Sequence, residues 1–163
     1  MKGLFLDRDG IVIRERGDYN YKPEHLSSCD GIFEFCSSYQ NSGYKIIIIT
    51  NQGGIEKKLY GHEEVRYIHD YINTEFKNRG LKIEGILYCP HHSIRGKCLC
   101  RKPGGLLIER AMYLYDIEPE GSFMVGDKES DKFAGENAGI KGFHVPSNIN
   151  LNKVKEISRY STK

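Results

Sequence analysis

The chain contains no tryptophan and only three methionines, but its more informative absences are of net charge and of long apolar runs. Twenty-four lysines and arginines stand against 22 aspartates and glutamates, a net charge of +2. A surface so nearly balanced has no bulk positive field to attract a nucleic-acid backbone or an anionic membrane. Single basic residues can still hold one phosphate group. No apolar run approaches the roughly 20 residues that a bilayer-spanning helix needs. The longest, Ile46 to Ile49, has the length of a buried strand, and Gly3 to Leu6 is too short for a signal peptide. Internal repeats and low-complexity linkers are also missing. These absences predict one domain over residues 1–163, cytoplasmic and monomeric, acting on a small molecule with neither nucleic acid nor membrane as partner.

What is present is an alternation of strand-like and helix-like segments. Lys2 to Leu6 reads as a first strand. Asp30 is a candidate cap for a helix reaching Gly43, and Tyr44 to Ile49 reads as a central strand buried on both faces. Val65, Ile68, Ile72 and Phe76 recur at helical spacing, with Gly80 ending that helix. Ile83 to Tyr88 is another strand, and Pro103 is placed to open a helix at its first position. Ser122 to Val125 and Gly142 to Val145 complete the strands around a helix ending near Asn137, with a last helix expected over 150–160. The pattern predicts an α/β fold, a Rossmann-like parallel sheet with helices on both faces. Ligands of such sheets bind beyond the carboxyl ends of the strands.

Polar clusters stand at three of those ends. The first strand runs into Asp7-Arg8-Asp9-Gly10. Residues two apart on an extended chain point the same way, so Asp7 and Asp9 can face one site, where two like charges call for a cation or a raised pKa. Thr50-Asn51-Gln52-Gly53-Gly54 offers hydroxyl, amide and backbone donors suited to phosphate oxygens. Gly126-Asp127-Lys128 follows the third strand. Asp127 can complete an oxygen-ligand site for magnesium with Asp7 and Asp9, and Asp131, one helical turn on, can orient its neighbours. Arg101-Lys102-Pro103 supplies positive charge: Lys102 for a transferring phosphoryl group, Arg101 for a second anionic or hydroxyl-rich part of a substrate. Taken singly, each cluster also reads as an ordinary solvated turn or helix cap. Their shared placement at strand ends favours a common site.

The five cysteines are unevenly spread, with Cys89, Cys98 and Cys100 inside twelve residues. With His91 they form a soft four-donor set that fits a closed, structural zinc site, with His92 as the alternative imidazole. This loop, 89–100, ends directly at Arg101-Lys102, so a metal there would hold both side chains in place. Cys29 and Cys36 read as ordinary buried thiols.

Asp7-Arg-Asp-Gly10, Thr50-Asn-Gln52, Lys102 and Gly126-Asp127-Lys-x-x-Asp131 together resemble the four signatures of the haloacid dehalogenase-like phosphatases. Asp18-Tyr-Asn-Tyr-Lys-Pro23, Thr50-Asn-Gln-Gly-Gly-Ile55, Cys89-Pro-His-His92 and Cys98-Leu-Cys-Arg-Lys-Pro103 are similar to its heptose bisphosphate phosphatase branch. Histidinol-phosphate phosphatases share the zinc loop. The resemblance spans residues 3 to 145 and implies a magnesium-dependent phosphoric monoester hydrolase without a cap domain. Its implied reaction removes the 7-phosphate of a heptose 1,7-bisphosphate during heptose supply for lipopolysaccharide or surface polysaccharide. In the implied roles, Asp7 is nucleophile, Asp9 acid and base, and Thr50 and Lys102 phosphoryl ligands. Magnesium is held by Asp7, the Asp9 backbone carbonyl and Asp127. Glu15, Arg16, Gly17, Asp18, Asn51, Gln52, Gly53, Arg101 and Lys128 contact substrate. Histidinol phosphate, a polynucleotide 3′-phosphate and a non-catalytic zinc-bearing module are the alternatives. Two departures stand out: Ile11 where relatives carry threonine, and Gly104-Gly105 directly after Pro103.

Overall fold

A computed structural model describes residues 1–96 and 98–161; residues 97, 162 and 163 of the expected domain lie outside the described residues. Five strands, β1 (Gly3–Leu6), β2 (Lys45–Asn51), β3 (Ile83–Cys89), β4 (Phe123–Gly126) and β5 (Lys141–His144), form one parallel sheet in the order β3-β2-β1-β4-β5. The helices are α1 (Ile32–Asn41), α2 (His62–Lys77), α3 (Leu106–Leu114), α4 (Glu129–Asn137) and α5 (Lys155–Ser161).

Side chains alternate across the central strands, so each strand feeds two cores. Leu4, Leu6, Ile46 and Ile48 face one way and pack with Phe35 and Cys36 of α1, Ile68, Ile72 and Phe76 of α2, and Ile157 of α5. Phe5, Ile47, Ile49 and Met124 face the other way, against Leu107, Ile108 and Ala111 of α3 and Ala134 of α4. The two-sided burial that the Ile46–Ile49 run predicts is what the structure has, and the apolar residues chosen on α2 are its buried face. Each fully buried isoleucine is worth about 1.5–3 kcal/mol.

Three local expectations change. Asp30 does not cap α1: Gly31 is the N-cap, and the Asp30 carboxylate instead pairs with Arg14 at 2.7 Å. Pro103 does not open α3, which begins at Leu106 after a cis Lys102–Pro103 bond. The backbone is crowded there: a Cβ on Gly104 would sit 2.4 Å from the Leu99 carbonyl oxygen, and one on Gly105 would sit 2.8 Å from Ala138 N. The two glycines therefore let the loop press against α4 before the helix starts. The last helix, expected over 150–160, is α5 at Lys155–Ser161, and its Ile157 is fully buried.

The chain runs β1, β2, β3 toward one edge and then crosses to β4 and β5 on the other side of β1. The reversal lies between β1 and β4, the position at which open α/β sheets bind ligands. Asp7 and Asp127 leave the sheet there, side by side.

Candidate active site

The Asp7 backbone N–H donates to the Val125 carbonyl at 2.9 Å, which continues the ladder one residue past β1. The chain then turns tightly: Val12 and Ile13 N–H both donate to Arg8 O, at 3.0 and 2.9 Å. Gly10 sits at φ +85°, and a Cβ there would lie 2.4 Å from Asp127 Oδ2. Only glycine fits both the left-handed backbone and that close approach. Ile11 is fully buried in the core formed with α1 and α2, so packing and backbone hydrogen bonds hold this turn without a threonine hydroxyl.

Lys102 reaches the floor of the site from the loop before α3. Its ammonium lies 2.6 Å from Asp7 Oδ1, 2.6 Å from Asp131 Oδ1 and 2.7 Å from the Ile49 carbonyl oxygen. All three Nζ donors of this buried side chain are thereby used. Burial acts to lower the Lys102 pKa, but Asp7 and Asp131 outweigh it and leave the group above the ordinary lysine value. For Asp7, burial, reinforced by Asp131 and Asp9 and opposed by Lys102, pushes the pKa up to about 7. Asn51 clamps the lysine's backbone from both sides, donating to Lys102 O at 3.2 Å and accepting from Lys102 N at 3.0 Å.

Carboxylate oxygens of Asp7, Asp127 and Asp131 lie within 4.8 Å of one another. One oxygen of Asp127 accepts from Ser147 Oγ. The other, Oδ1, is buried and has no hydrogen-bond partner among the described residues. Burial acts to lower the Lys128 pKa, but Asp7 and Asp127 outweigh it, so Lys102 and Lys128 together offset two of the three charges. A hard divalent cation with oxygen ligands fits this set and would satisfy the orphaned oxygen.

The carboxyl group of Asp9 is not part of that cluster. It accepts from Arg8 Nε and Nη2 at 3.1 and 2.9 Å, from Asn20 Nδ2 at 2.9 Å and from Gln52 Nε2 at 3.1 Å. Burial opposes ionisation, but Arg8, Asn20 and Gln52 outweigh it and hold Asp9 below the usual carboxylate range. Gln52 is itself oriented: its amide N–H also donates to Thr50 Oγ1 at 2.9 Å, and its carbonyl accepts from Tyr60 OH at 2.7 Å.

A cavity of about 770 Å³ opens over Asp7 and is lined by Asp9, Thr50, Asn51, Gly53, Arg101, Lys102, Lys128 and Asp131, among others. A second, of about 320 Å³, shares Asp9, Asn51 and Lys128 with it and adds Glu15, Gly17, Asp18 and Gln52. Among the expected substrate contacts, Arg16 lines neither; it is exposed, and its N–H donates to Glu15 Oε1 at 2.9 Å.

Cys89, His91, Cys98 and Cys100 converge at the end of β3. Their sulfurs are 2.9 to 3.8 Å apart, and His91 Nδ1 lies 3.0 to 3.5 Å from each. A zinc ion with Zn–S bonds of about 2.3 Å spaces its sulfurs by about 3.8 Å, so only a slight expansion separates this cluster from a filled tetrahedron. Burial raises the Cys89 and Cys100 thiols. Burial also opposes ionisation of Cys98, yet hydrogen bonds from Cys100 and the backbone bring it down to about 7. Such crowding of thiols is resolved by a shared cation. His92, the alternative imidazole, turns away: its Nδ1 accepts from Ile94 N at 3.2 Å. The loop is tied to the site by Arg101, which donates to His91 O at 2.8 Å, and by Gln52 N, which donates to Cys89 O at 2.7 Å.

The sequence pattern does not assign metal-ligand geometry to Asp131, although its spacing after Asp127 is visible. Arg8, Asn20, Tyr60 and Ser147 are likewise not singled out by it. Arg8 lies inside the Asp7–Gly10 motif and Asn20 inside the Asp18–Pro23 stretch; Tyr60 and Ser147 carry no spacing signal, because each acts across a stretch of intervening chain.

Known proteins similar to this chain identify its family. A family model described as "HAD-hyrolase-like" matches residues 99–160. D-glycero-beta-D-manno-heptose-1,7-bisphosphate 7-phosphatase of Helicobacter pylori is 41% identical over 141 residues, covering 86% of this chain and 80% of its own. The corresponding alpha-anomer phosphatase of Campylobacter jejuni is 40% identical over 139 residues, covering 85% and 78%. The crystal structure of D,D-heptose 1,7-bisphosphate phosphatase from B. bronchiseptica, complexed with magnesium and phosphate, superposes with a TM-score of 0.83 at 26% identity, covering 96% of this chain and 87% of the other. By fold, by site and by relatives, the chain belongs to the haloacid dehalogenase-like phosphatases.

Proposed function

We propose that this enzyme hydrolyses the 7-phosphate of D-glycero-D-manno-heptose 1,7-bisphosphate through an aspartyl-phosphate on Asp7, in the supply of heptose for lipopolysaccharide or surface polysaccharide. The observation that carries the reading is the position of Asp7: buried, paired with Lys102 at 2.6 Å, and set at the floor of the larger cavity beside the Asp127–Asp131 carboxylates. The relatives' names supply the substrate.

Asp7, Asp127 and Asp131 are the side chains that would hold magnesium, with the Asp9 backbone carbonyl as the further ligand that the family resemblance implies. When bound, the ion supplies charge neutralisation between the attacking carboxylate and the phosphoryl oxygens. Asp7 Oδ attacks phosphorus, and the P–O bond to the sugar breaks. Thr50 holds the phosphoryl oxygens through the transfer, and Lys102 joins it by giving up one of its three present partners. Asp9, protonated from solvent as the substrate phosphate enters, gives that proton to the departing C7 oxygen. An incoming phosphate raises the proton affinity of Asp9 by like-charge repulsion, which prepares it for that step. Once ionised again, held by Arg8, Asn20 and Gln52, it takes a proton from the water that splits the acyl phosphate. Arg101, Lys128 and the Glu15–Asp18 turn grip the rest of the substrate. Cys89, His91, Cys98 and Cys100 would hold a structural zinc whose role is to fix Arg101 and Lys102.

Phosphate release tests this on a panel of the alpha and beta heptose bisphosphates, histidinol phosphate and a 3′-phosphorylated oligonucleotide, with Asp7→Asn as control. Turnover confined to the heptose bisphosphates is expected. Preference for histidinol phosphate, or release by Asp7→Asn at near-normal rate, would overturn the reading.

A further inference from the structure

The loop between β1 and α1 carries Glu15, Gly17 and Asp18 along the smaller cavity, yet it holds little regular structure. Its base is fixed from far away in sequence. Asn148, just after β5, spends both ends of its amide on the backbone of Glu15: Glu15 N donates to Asn148 Oδ1 at 2.7 Å, and Asn148 Nδ2 donates to Glu15 O at 3.0 Å. The side chain thus stands in for one rung of a β-ladder. Asn148 N also donates to Gly10 O at 2.7 Å, in the turn that carries Asp7 and Asp9. Asn148 adopts φ +61°, a left-handed conformation that costs most residues energy and that asparagine tolerates. Glu15, once placed, organises the residues after it. Its Oε1 accepts from Arg16 N and Gly17 N at 2.9 and 2.8 Å, closing the turn that leads to Asp18.

We propose that Asn148 is a positioning residue for substrate specificity: its amide clamps Glu15 and so sets the Glu15–Asp18 turn against the sugar, while phosphoryl transfer at Asp7 proceeds without it. The inference rests on the sugar-phosphatase reading of the site. The two substrate features then answer to different parts of the fold. The phosphoryl group meets the strand ends of the sheet, and the sugar meets a loop held by residue 148. Losing two hydrogen bonds to a half-buried loop loosens it by enough to weaken sugar binding roughly tenfold.

Asn148→Gly is the test variant, because glycine keeps the positive φ and the N–H bond to Gly10 O while removing only the amide. Kinetics are measured with a heptose bisphosphate and with p-nitrophenyl phosphate, which has no sugar to grip. Hydrogen exchange at the Glu15 amide is followed in parallel. KM for the heptose bisphosphate should rise about tenfold with kcat within about twofold. Turnover of p-nitrophenyl phosphate should hold, and Glu15 should exchange faster. Asn148→Asp, which sets an acceptor against Glu15 O, should reproduce the split. Unchanged KM with unchanged Glu15 exchange would overturn the proposal, as would an equal loss on both substrates. Should the wild-type chain ignore heptose bisphosphates, the functional reading fails instead, and the Glu15 exchange rate still decides whether the clamp exists.

Discussion

Lys102→Met removes one positive charge from between two buried carboxylates. The lysine side chain is 2% exposed, and those of Asp7 and Asp131 are 6% and 1% exposed. Water therefore cannot take over its role. Breaking one side of a buried ion pair costs about 3–5 kcal/mol. In a domain of this size, each kcal/mol moves the melting temperature by about 2–4 °C, so a fall of roughly 6–20 °C is expected. The two carboxylates would then share a proton, which disarms Asp7 as a nucleophile. Loss of the cation at the phosphoryl oxygens adds a rate penalty of about 10²–10³ in kcat. Lys102→Arg should not rescue activity, since a planar fork cannot place one ammonium among Asp7, Asp131 and the Ile49 carbonyl. Thermal melts and phosphate-release assays read the two effects separately. Adding Asp7→Asn to Lys102→Met should recover part of the lost stability, because a neutral amide no longer needs the charge. A Lys102→Met protein that melts within about 2 °C of wild type, or turns over within about threefold of it, would refute this reasoning.

The same geometry sets other outcomes. Asp7 has its pKa raised from 3.8 to about 7, so the metal-free native state binds more protons than the unfolded chain across that range. Stability is then fullest below pH 4 on this group's account and is lost as the pH rises toward 7; urea titrations should show that slope, and Asp7→Asn should flatten it. Magnesium needs the ionised carboxylate, so its gain in melting temperature should be larger at pH 7.5 than at pH 5.5. Removal of the zinc proposed for Cys89, His91, Cys98 and Cys100 should abolish turnover while far-UV circular dichroism stays largely intact, because Arg101 and Lys102 would lose their anchor; full activity in zinc-free protein would contradict that role. Tyr60→Phe removes the hydroxyl that orients Gln52 and should lower kcat by roughly tenfold with KM little changed.

The elements most legible in the sequence are those with strong periodicity. The Ile46–Ile49 run and the Val65, Ile68, Ile72, Phe76 stripe each have one way to be buried, and the sheet uses it. The strand-end placement of Asp7, Thr50 and Asp127 comes from the same pattern, as does the cysteine cluster, because ligands close in sequence need only a loop to meet. Local backbone chemistry is harder to read. Proline at a helix start is a sound rule, but Gly104 and Gly105 answer to crowding by Leu99 and Ala138 that no spacing announces. The carboxyl group of Asp9 shares a strand direction with that of Asp7, yet Arg8, Asn20 and Gln52 draw it to a separate place, leaving Asp131 as the third member of the cluster. Asn148 and Ser147 are illegible for a simple reason: their partners, Glu15 and Asp127, lie 133 and 20 residues away, and single polar side chains carry no period. Ile11 is visible as a departure; only its full burial shows that the turn stands on packing.

The assignment of Asp7 as the carrier of the phosphoryl group is tested most directly by chemical trapping. Wild-type enzyme is mixed with heptose bisphosphate, quenched in acid within one turnover, and reduced with borohydride, which converts an aspartyl-phosphate to homoserine. Mass spectrometry of the peptide containing residue 7 then locates the modification. Homoserine is expected at position 7 and nowhere else, with none formed by Asp7→Asn. Steady turnover with no modification at residue 7, or with modification at another carboxylate, would contradict it.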